Sequence, residues 1–173
     1  MSESAGRNPV AKGRFAIFTA EGAPTLEETG MMDEMTYPDA DSDDVPMSET
    51  EMERLVSAAR ITVPFRQAGP GGFSLVSIDF APGYLLPRHS HSSDCLYYIV
   101  AGSIRMGRRE LGPGDGFFLP ADQPYAYQAG PDGVKLLEFR NSTAFDMQVY
   151  EKSMKNYREK AMASMDAPGA HPA

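Results

Sequence analysis

One cysteine, three histidines and no apolar run of membrane-spanning length set the first limits on this chain of 173 residues. The lone cysteine, Cys95, cannot close an internal disulfide, so a reducing cytoplasm is its expected home. A spanning helix needs about 18 or more consecutive apolar residues, and no such run occurs. Nor does a charged-then-apolar amino terminus announce a secretory signal. Basic residues number 16 against 24 acidic ones, for a formal net charge of -8. Phosphate-backbone binders present a basic face, so no nucleic-acid partner is expected. There is no G-x-S-x-G elbow, no phosphate-binding glycine loop and no paired CxxC. Gly69-Pro70-Gly71-Gly72 is glycine-rich, but it joins two expected strands and reads as a hairpin turn. No internal repeat is visible.

What is present is an ordinary globular composition, 42% hydrophobic and 23% charged, long enough for a real core. Sixteen glycines and fourteen prolines supply the turns of an all-β domain. Residues 1–58 read as an amino-terminal extension. Its first 12 residues are small and polar, Arg14–Thr19 reads as a strand, and residues 21–47 read as an acidic linker. Ser48-Glu49-Thr50-Glu51 is a capping box, followed by a short amphipathic helix on Met52, Leu55, Val56 and Ala59.

Residues 59–141 change texture. Ile61–Phe65, Phe73–Phe80, Cys95–Ala101, Ser103–Gly107, Gly116–Leu119, Pro124–Gln128 and Val134–Arg140 read as strands. Pro82-Gly83, Pro113-Gly114-Asp115 and Pro131-Asp132-Gly133 read as turns between them. Many short strands at this spacing predict a sandwich or barrel. Residues 142–173 close the chain with a helix, Thr143 as its N-cap. Met147, Tyr150, Met154, Tyr157 and Ala161 form its packing stripe, Lys152, Lys155, Arg158 and Lys160 fall late along its dipole, and Pro168-Gly169 stops it.

The chemistry concentrates at His89-Ser90-His91. Alternate strand residues share a face, so the two imidazoles stand side by side with Cα atoms roughly 7 Å apart, within reach of one divalent ion. On the same alternation Cys95, Tyr97 and Ile99 share a face, as do Gln123, Tyr125 and Tyr127.

Pro82-Gly83, five residues, His89-Ser90-His91, three residues, Cys95, six residues and Gly102 resemble the first motif of the cupin superfamily. Gly107, Pro113-Gly114-Asp115 and Pro120 through Pro124-Tyr125 resemble the second. The resemblance covers residues 61–141. It implies a double-stranded β-helix, a jelly roll whose inward residues form a metal or small-molecule pocket, and a homodimer built through flanking strands and helices. His89 and His91 match the first two ligands of a typical cupin site. Cys95 stands where a glutamate is usual, with Asp94 beside it, and Tyr125 stands where a third histidine is usual. The remaining histidine, His171, is in the tail.

Two readings of the pocket follow. In one, His89 and His91 hold a divalent ion (Zn, Fe, Mn, Ni or Cu), aided by Cys95, Asp94 or Tyr125. Tyr125 or Cys95 then acts in an oxygenase, isomerase or lyase reaction on a small organic molecule, with Tyr97, Gln123, Tyr127 and Gln128 lining the pocket. In the other, the metal site has decayed and the barrel binds or senses a small molecule without turnover. Arg88 and Arg140 either bind a carboxylate ligand or face solvent.

Overall fold

Period-two burial along residues 59–140 builds the larger of two sheets. The computed structural model describes residues 9–37 and 48–168. Strands β1 (Met32–Thr36), β2 (Ala59–Arg66), β3 (Ser74–Phe80), β4 (His89–Ser90) and β5 (Cys95–Met106) come first in the chain. β6 (Arg109–Leu111), β7 (Gly116–Leu119), β8 (Gln128–Arg140) and β9 (Phe145–Val149) follow. The large sheet runs β2-β3-β8-β5, with β6 and β7 sharing the far edge of β5. The small sheet runs β1-β9-β4, with β1 parallel and β4 antiparallel to β9. Along β5, Cys95, Tyr97 and Ile99 are buried while Leu96, Tyr98 and Val100 face out. Val63, Val76, Ile78, Phe80, Ile104 and Leu136 fill the core behind them. This strand-rich, two-sheet arrangement is the expected jelly roll.

Among the described residues three helices flank it: α1 (Leu26–Thr29), α2 (Glu49–Ser57) and α3 (Met154–Asp166). The Ser48/Glu51 capping box of α2 forms as predicted. Among the described residues no helix is long and apolar enough to cross a membrane.

Several expectations give way. Arg14–Thr19 is not a strand, because no neighbouring edge pairs with it. Phe15 is almost fully exposed and only Phe18 packs, its ring 5.5 Å from that of Phe65. The expected acidic linker contains α1 and β1, while residues 38–47 lie outside the described residues, as does His171. A second capping box, Thr25 with Glu28, starts α1, and the left-handed Gly30 ends it. The two strands expected at Cys95–Ala101 and Ser103–Gly107 are one, because Gly102 forms a bulge instead of a turn. Gly102 has φ +70°, and a Cβ there would stand 2.1 Å from the Gly133 carbonyl oxygen. Pro131-Asp132-Gly133 is likewise absorbed into β8. Of the strand expected at Pro124–Gln128, Tyr125 forms only an isolated bridge to His89, and Gln128 is the first residue of β8.

The carboxy-terminal helix starts later than its stripe predicts. Phe145, Met147 and Val149 also alternate at period two, and pairing with β1 and β4 buries Phe145 and Val149. The helix then begins at Met154 with Ser153 as N-cap. Lys155 therefore falls in its first turn, where it gains nothing from the dipole. Tyr157 and Ala161 do pack inward, and the Tyr157 hydroxyl donates to the Leu85 carbonyl at 2.8 Å. The end of α3 lies so close over Gly83 that a Cβ there would stand 2.2 Å from the Ser164 carbonyl oxygen.

Candidate functional site

Between the two sheets lies a cavity of about 320 Å³. Ile61, Val76, Ile78, Phe80, Tyr97 and Glu138 face it from the large sheet, and Met32, His89, Phe145, Met147 and Val149 from the small one. Leu55 of α2 and Met154 and Tyr157 of α3 close its sides.

The short β4 carries the histidines, fixed by backbone bonds in both directions: His89 N–H to the Tyr125 carbonyl at 3.0 Å, and Tyr125 N–H to the His89 carbonyl at 2.9 Å. Both imidazoles are buried. His89 Nδ1 lies 2.7 Å from the Pro87 carbonyl oxygen, and His91 Nδ1 lies 2.6 Å from that of Asp146. A carbonyl oxygen only accepts, so both Nδ1 atoms carry protons. Burial pushes the His89 pKa down to about 4, partly offset by the Pro87 carbonyl, and lowers that of His91 as well. Both rings are therefore neutral near pH 7, with Nε2 bare. Those two Nε2 atoms face each other 3.2 Å apart.

The Tyr125 hydroxyl lies 3.5 Å from His91 Nε2 and 2.6 Å from the Tyr97 hydroxyl. Behind Tyr97 is Glu138, a site residue that the sequence reading did not single out. Its carboxylate bonds to Arg140 Nε and to the Tyr97 hydroxyl. Burial alone would raise the Glu138 pKa, but the Arg140 guanidinium beside it outweighs that and keeps the carboxyl ionised. Arg140 does not face solvent: it is 1% exposed, 4.2 Å above the Phe145 ring, and bonded through Nη1 to the Ser93 hydroxyl at 3.0 Å. Glu138 and Ser93 take Nε and Nη1 while the buried Nη2 has no partner, and Arg140 is not among the residues that line the cavity.

Hydrogen-bond direction now follows from one end. The ionised Glu138 only accepts, so Tyr97 donates to it. The Tyr97 oxygen can then accept only from Tyr125, whose proton goes to this nearer partner. What Tyr125 turns toward the histidines is a lone pair. Three acceptors, His89 Nε2, His91 Nε2 and Tyr125 Oη, thus converge with no proton between them.

The other sequence candidates lie elsewhere. Asp94 is exposed, and its carboxylate accepts the Ala121 N–H at 2.9 Å, tying a turn. Cys95 is buried behind the cavity wall, and burial pushes its thiol pKa far up, which suits packing more than ligation or attack. Gln123 is exposed. Gln128 is buried, but its side chain serves Ser164 and Arg105. Tyr97 and Tyr127 do line the cavity. Arg88 is exposed.

No group of three or more His, Cys, Asp or Glu side chains is arranged to hold a metal among the described residues. That count leaves out the Tyr125 oxygen. Two nitrogens 3.2 Å apart fit adjacent positions around an ion with bonds of roughly 2.0–2.1 Å. The Nδ1–H bonds to carbonyls are the supports that such ligands ordinarily have. The donor set fits a divalent ion.

A family described as AraC-like ligand binding domain matches residues 75–163. Among solved structures, the polyketide cyclase RemF from Streptomyces resistomycificus is similar at 20% identity, over 65% of this chain and 85% of that one, with a TM-score of 0.50. An RmlC-like cupin from Shewanella frigidimarina NCIMB 400 is similar at 22% identity, over 50% of this chain and 78% of that one, with a TM-score of 0.42. KdgF from Halomonas sp. is 23% identical over 49% of this chain and 80% of its own, with a TM-score of 0.42. At such identities the likeness is one of fold. No curated protein matches the chain.

Proposed function

This chain belongs to the AraC-like ligand-binding domain family, a cupin-type barrel, and on that premise we propose that its cavity binds a small organic molecule beside a divalent metal ion held by His89 and His91. One observation carries the metal: two neutral imidazoles aim bare Nε2 atoms at each other across 3.2 Å. Facing lone pairs repel, and a cation removes the repulsion. Tyr125 supplies the third donor atom. Imidazole nitrogen suits Zn, Fe, Ni and Cu, and the phenolic oxygen extends the range to Mn.

When bound, the ion acts as a Lewis acid on an oxygen of the ligand. The chain's own residues do the rest. The apolar walls exclude water, the carbonyls of Pro87 and Asp146 fix the ring orientations, and Tyr97 keeps the Tyr125 proton turned away. Turnover of the bound molecule, of oxygenase, isomerase or lyase type, is the second reading. The Tyr125–Tyr97–Glu138 chain favours it, because it joins the cavity to a buried carboxylate.

A second copy of the chain is proposed to cover the outer face of the large sheet. Phe118, Leu96, Phe139, Leu75 and Phe65 stand side by side across five strands, and Leu96, Tyr98, Val100 and Phe118 are exposed. An apolar row of this kind supports an interface. The single unpaired thiol is in keeping with a cytoplasmic protein.

Thermal melts of the full chain with rising Zn²⁺ or Mn²⁺ test the metal reading. A ligand that binds the native state raises the melting temperature by mass action. The rise is expected in the wild type, reversed by chelator, and absent in the His89→Ala/His91→Ala double variant. An equal rise in that variant would assign the ion to another place.

A further inference from the structure

The cavity wall is unevenly divided. Aliphatic, methionine and aromatic side chains cover most of it, with Met32, Met35, Met147 and Met154 giving it a soft, adaptable lining. Its charged member, Glu138, is committed to Arg140 and Tyr97. The Tyr157 hydroxyl is spent on the Leu85 carbonyl. The hydroxyls of Tyr84 and Tyr127 also border the cavity, but its acceptors gather at one end, where His89, His91 and Tyr125 offer three bare acceptor atoms.

We propose that the ligand of this cavity is a molecule with an apolar, ring-sized body and a hydroxyl group, a phenol, enol or alcohol, that meets the His89/His91/Tyr125 end. This rests on the small-molecule reading of the same cavity and goes beyond it in naming the class. A hydroxyl donates a hydrogen bond to an acceptor cluster and also binds a divalent ion through oxygen, so it suits the site with or without metal. An ether oxygen donates nothing and meets three lone pairs. A sugar is excluded for the opposite reason. Most of its hydroxyls would be buried against the hydrocarbon wall without partners, at about 1–3 kcal/mol each. Polar recognition limited to a few groups within an apolar lining is how small-molecule pockets fix orientation.

Three probes separate these cases when titrated calorimetrically into the full chain at pH 7: 2-naphthol, 2-methoxynaphthalene and glucose. The naphthol is expected to bind at least tenfold more tightly than its methyl ether, and glucose to give no heat at a hundredfold higher concentration. Tyr125→Phe removes one of the three acceptors, and is expected to shrink the naphthol-over-ether ratio. Equal binding of naphthol and ether, or glucose binding as well as naphthol, overturns the proposed class and leaves a small-molecule pocket standing. Heat from none of the three overturns the class and the small-molecule reading together. Metal content, measured separately on the same protein, reports on the His89/His91 ion independently of all these outcomes.

Discussion

Tyr125 has one phenolic proton, and the neighbour that receives it is decided at Glu138. With Arg140 holding that carboxylate ionised, Tyr97 must donate to Glu138, and Tyr125 to Tyr97. Tyr97→Phe deletes the acceptor and releases the Tyr125 proton toward His91 Nε2, now its nearest partner at 3.5 Å. Metal affinity is expected to fall roughly tenfold, about 1.4 kcal/mol, as one hydrogen bond must be broken for the ion to enter. Competition against a chromophoric chelator reads the change, and an unaltered affinity would contradict the relay. The histidines make a separate prediction for the metal-free chain. His89 has a folded pKa of about 4 against an ordinary 6.5, set by burial and by His91 and Arg140, and eased by the Pro87 carbonyl and Glu138. Below pH 6.5 the unfolded chain takes up a proton that the folded one refuses. The stability is thus complete above that pH and drains away as pH falls toward 4. Urea midpoints measured between pH 7 and pH 4.5 should decline, and decline less in His89→Gln. A flat profile would mean that the ring is not buried neutral.

The sequence disclosed the histidine pair because period-two spacing is a local property. Glu138 was legible by the same rule: Val134, Leu136, Glu138 and Arg140 fall on one face of a strand, so two opposite charges share a side with two core aliphatics. Such a pattern marks a buried ion pair. Asp94 escaped prediction for a different reason, since alternation fails in a turn and only the three-dimensional path brings its carboxylate to Ala121.

At the level of elements, β9 shows where local pattern runs out. Phe145 to Val149 satisfies a strand and, together with Met154 and Tyr157, a helix, and the arbiter is the pair of edges offered by β1 and β4. No window of sequence contains that arbiter. Helix α3, shortened accordingly, walls the cavity with Met154 and Tyr157 and depends on Ser153, whose hydroxyl accepts the Asn156 N–H at 3.3 Å. Ser153→Ala should cost about 1 kcal/mol, seen as a lower urea midpoint with an unchanged slope. No change would mean that α3 holds by its packing alone. The amino-terminal segment teaches the converse. Arg14–Thr19 carries the apolar, aromatic content of a short strand, yet forms none, because composition supplies an apolar surface and only a neighbour supplies hydrogen bonds.

For the whole molecule, turns and strand spacing made a sandwich or barrel readable, and the jelly roll came from the cupin resemblance, whose glycines at Gly83 and Gly102 mark places where backbone passes within a side chain's width of backbone. Assembly was not readable in this way. The row from Phe118 to Phe65 emerges only when five strands are in register. Covering that row with a second copy predicts that Leu96→Lys/Phe118→Lys converts a dimer to a monomer in sedimentation velocity while the far-ultraviolet circular dichroism is kept. A wild-type monomer at tens of micromolar would contradict the pairing.

The central claim, that the barrel is built to hold an ion between its two histidines, is tested most directly by elemental analysis of untagged protein purified without chelator. About one equivalent of Zn, Fe, Mn, Ni or Cu per chain is expected, lost in the His89→Ala variant with its fold intact. Protein that arrives metal-free and takes up none of these ions on incubation would contradict it.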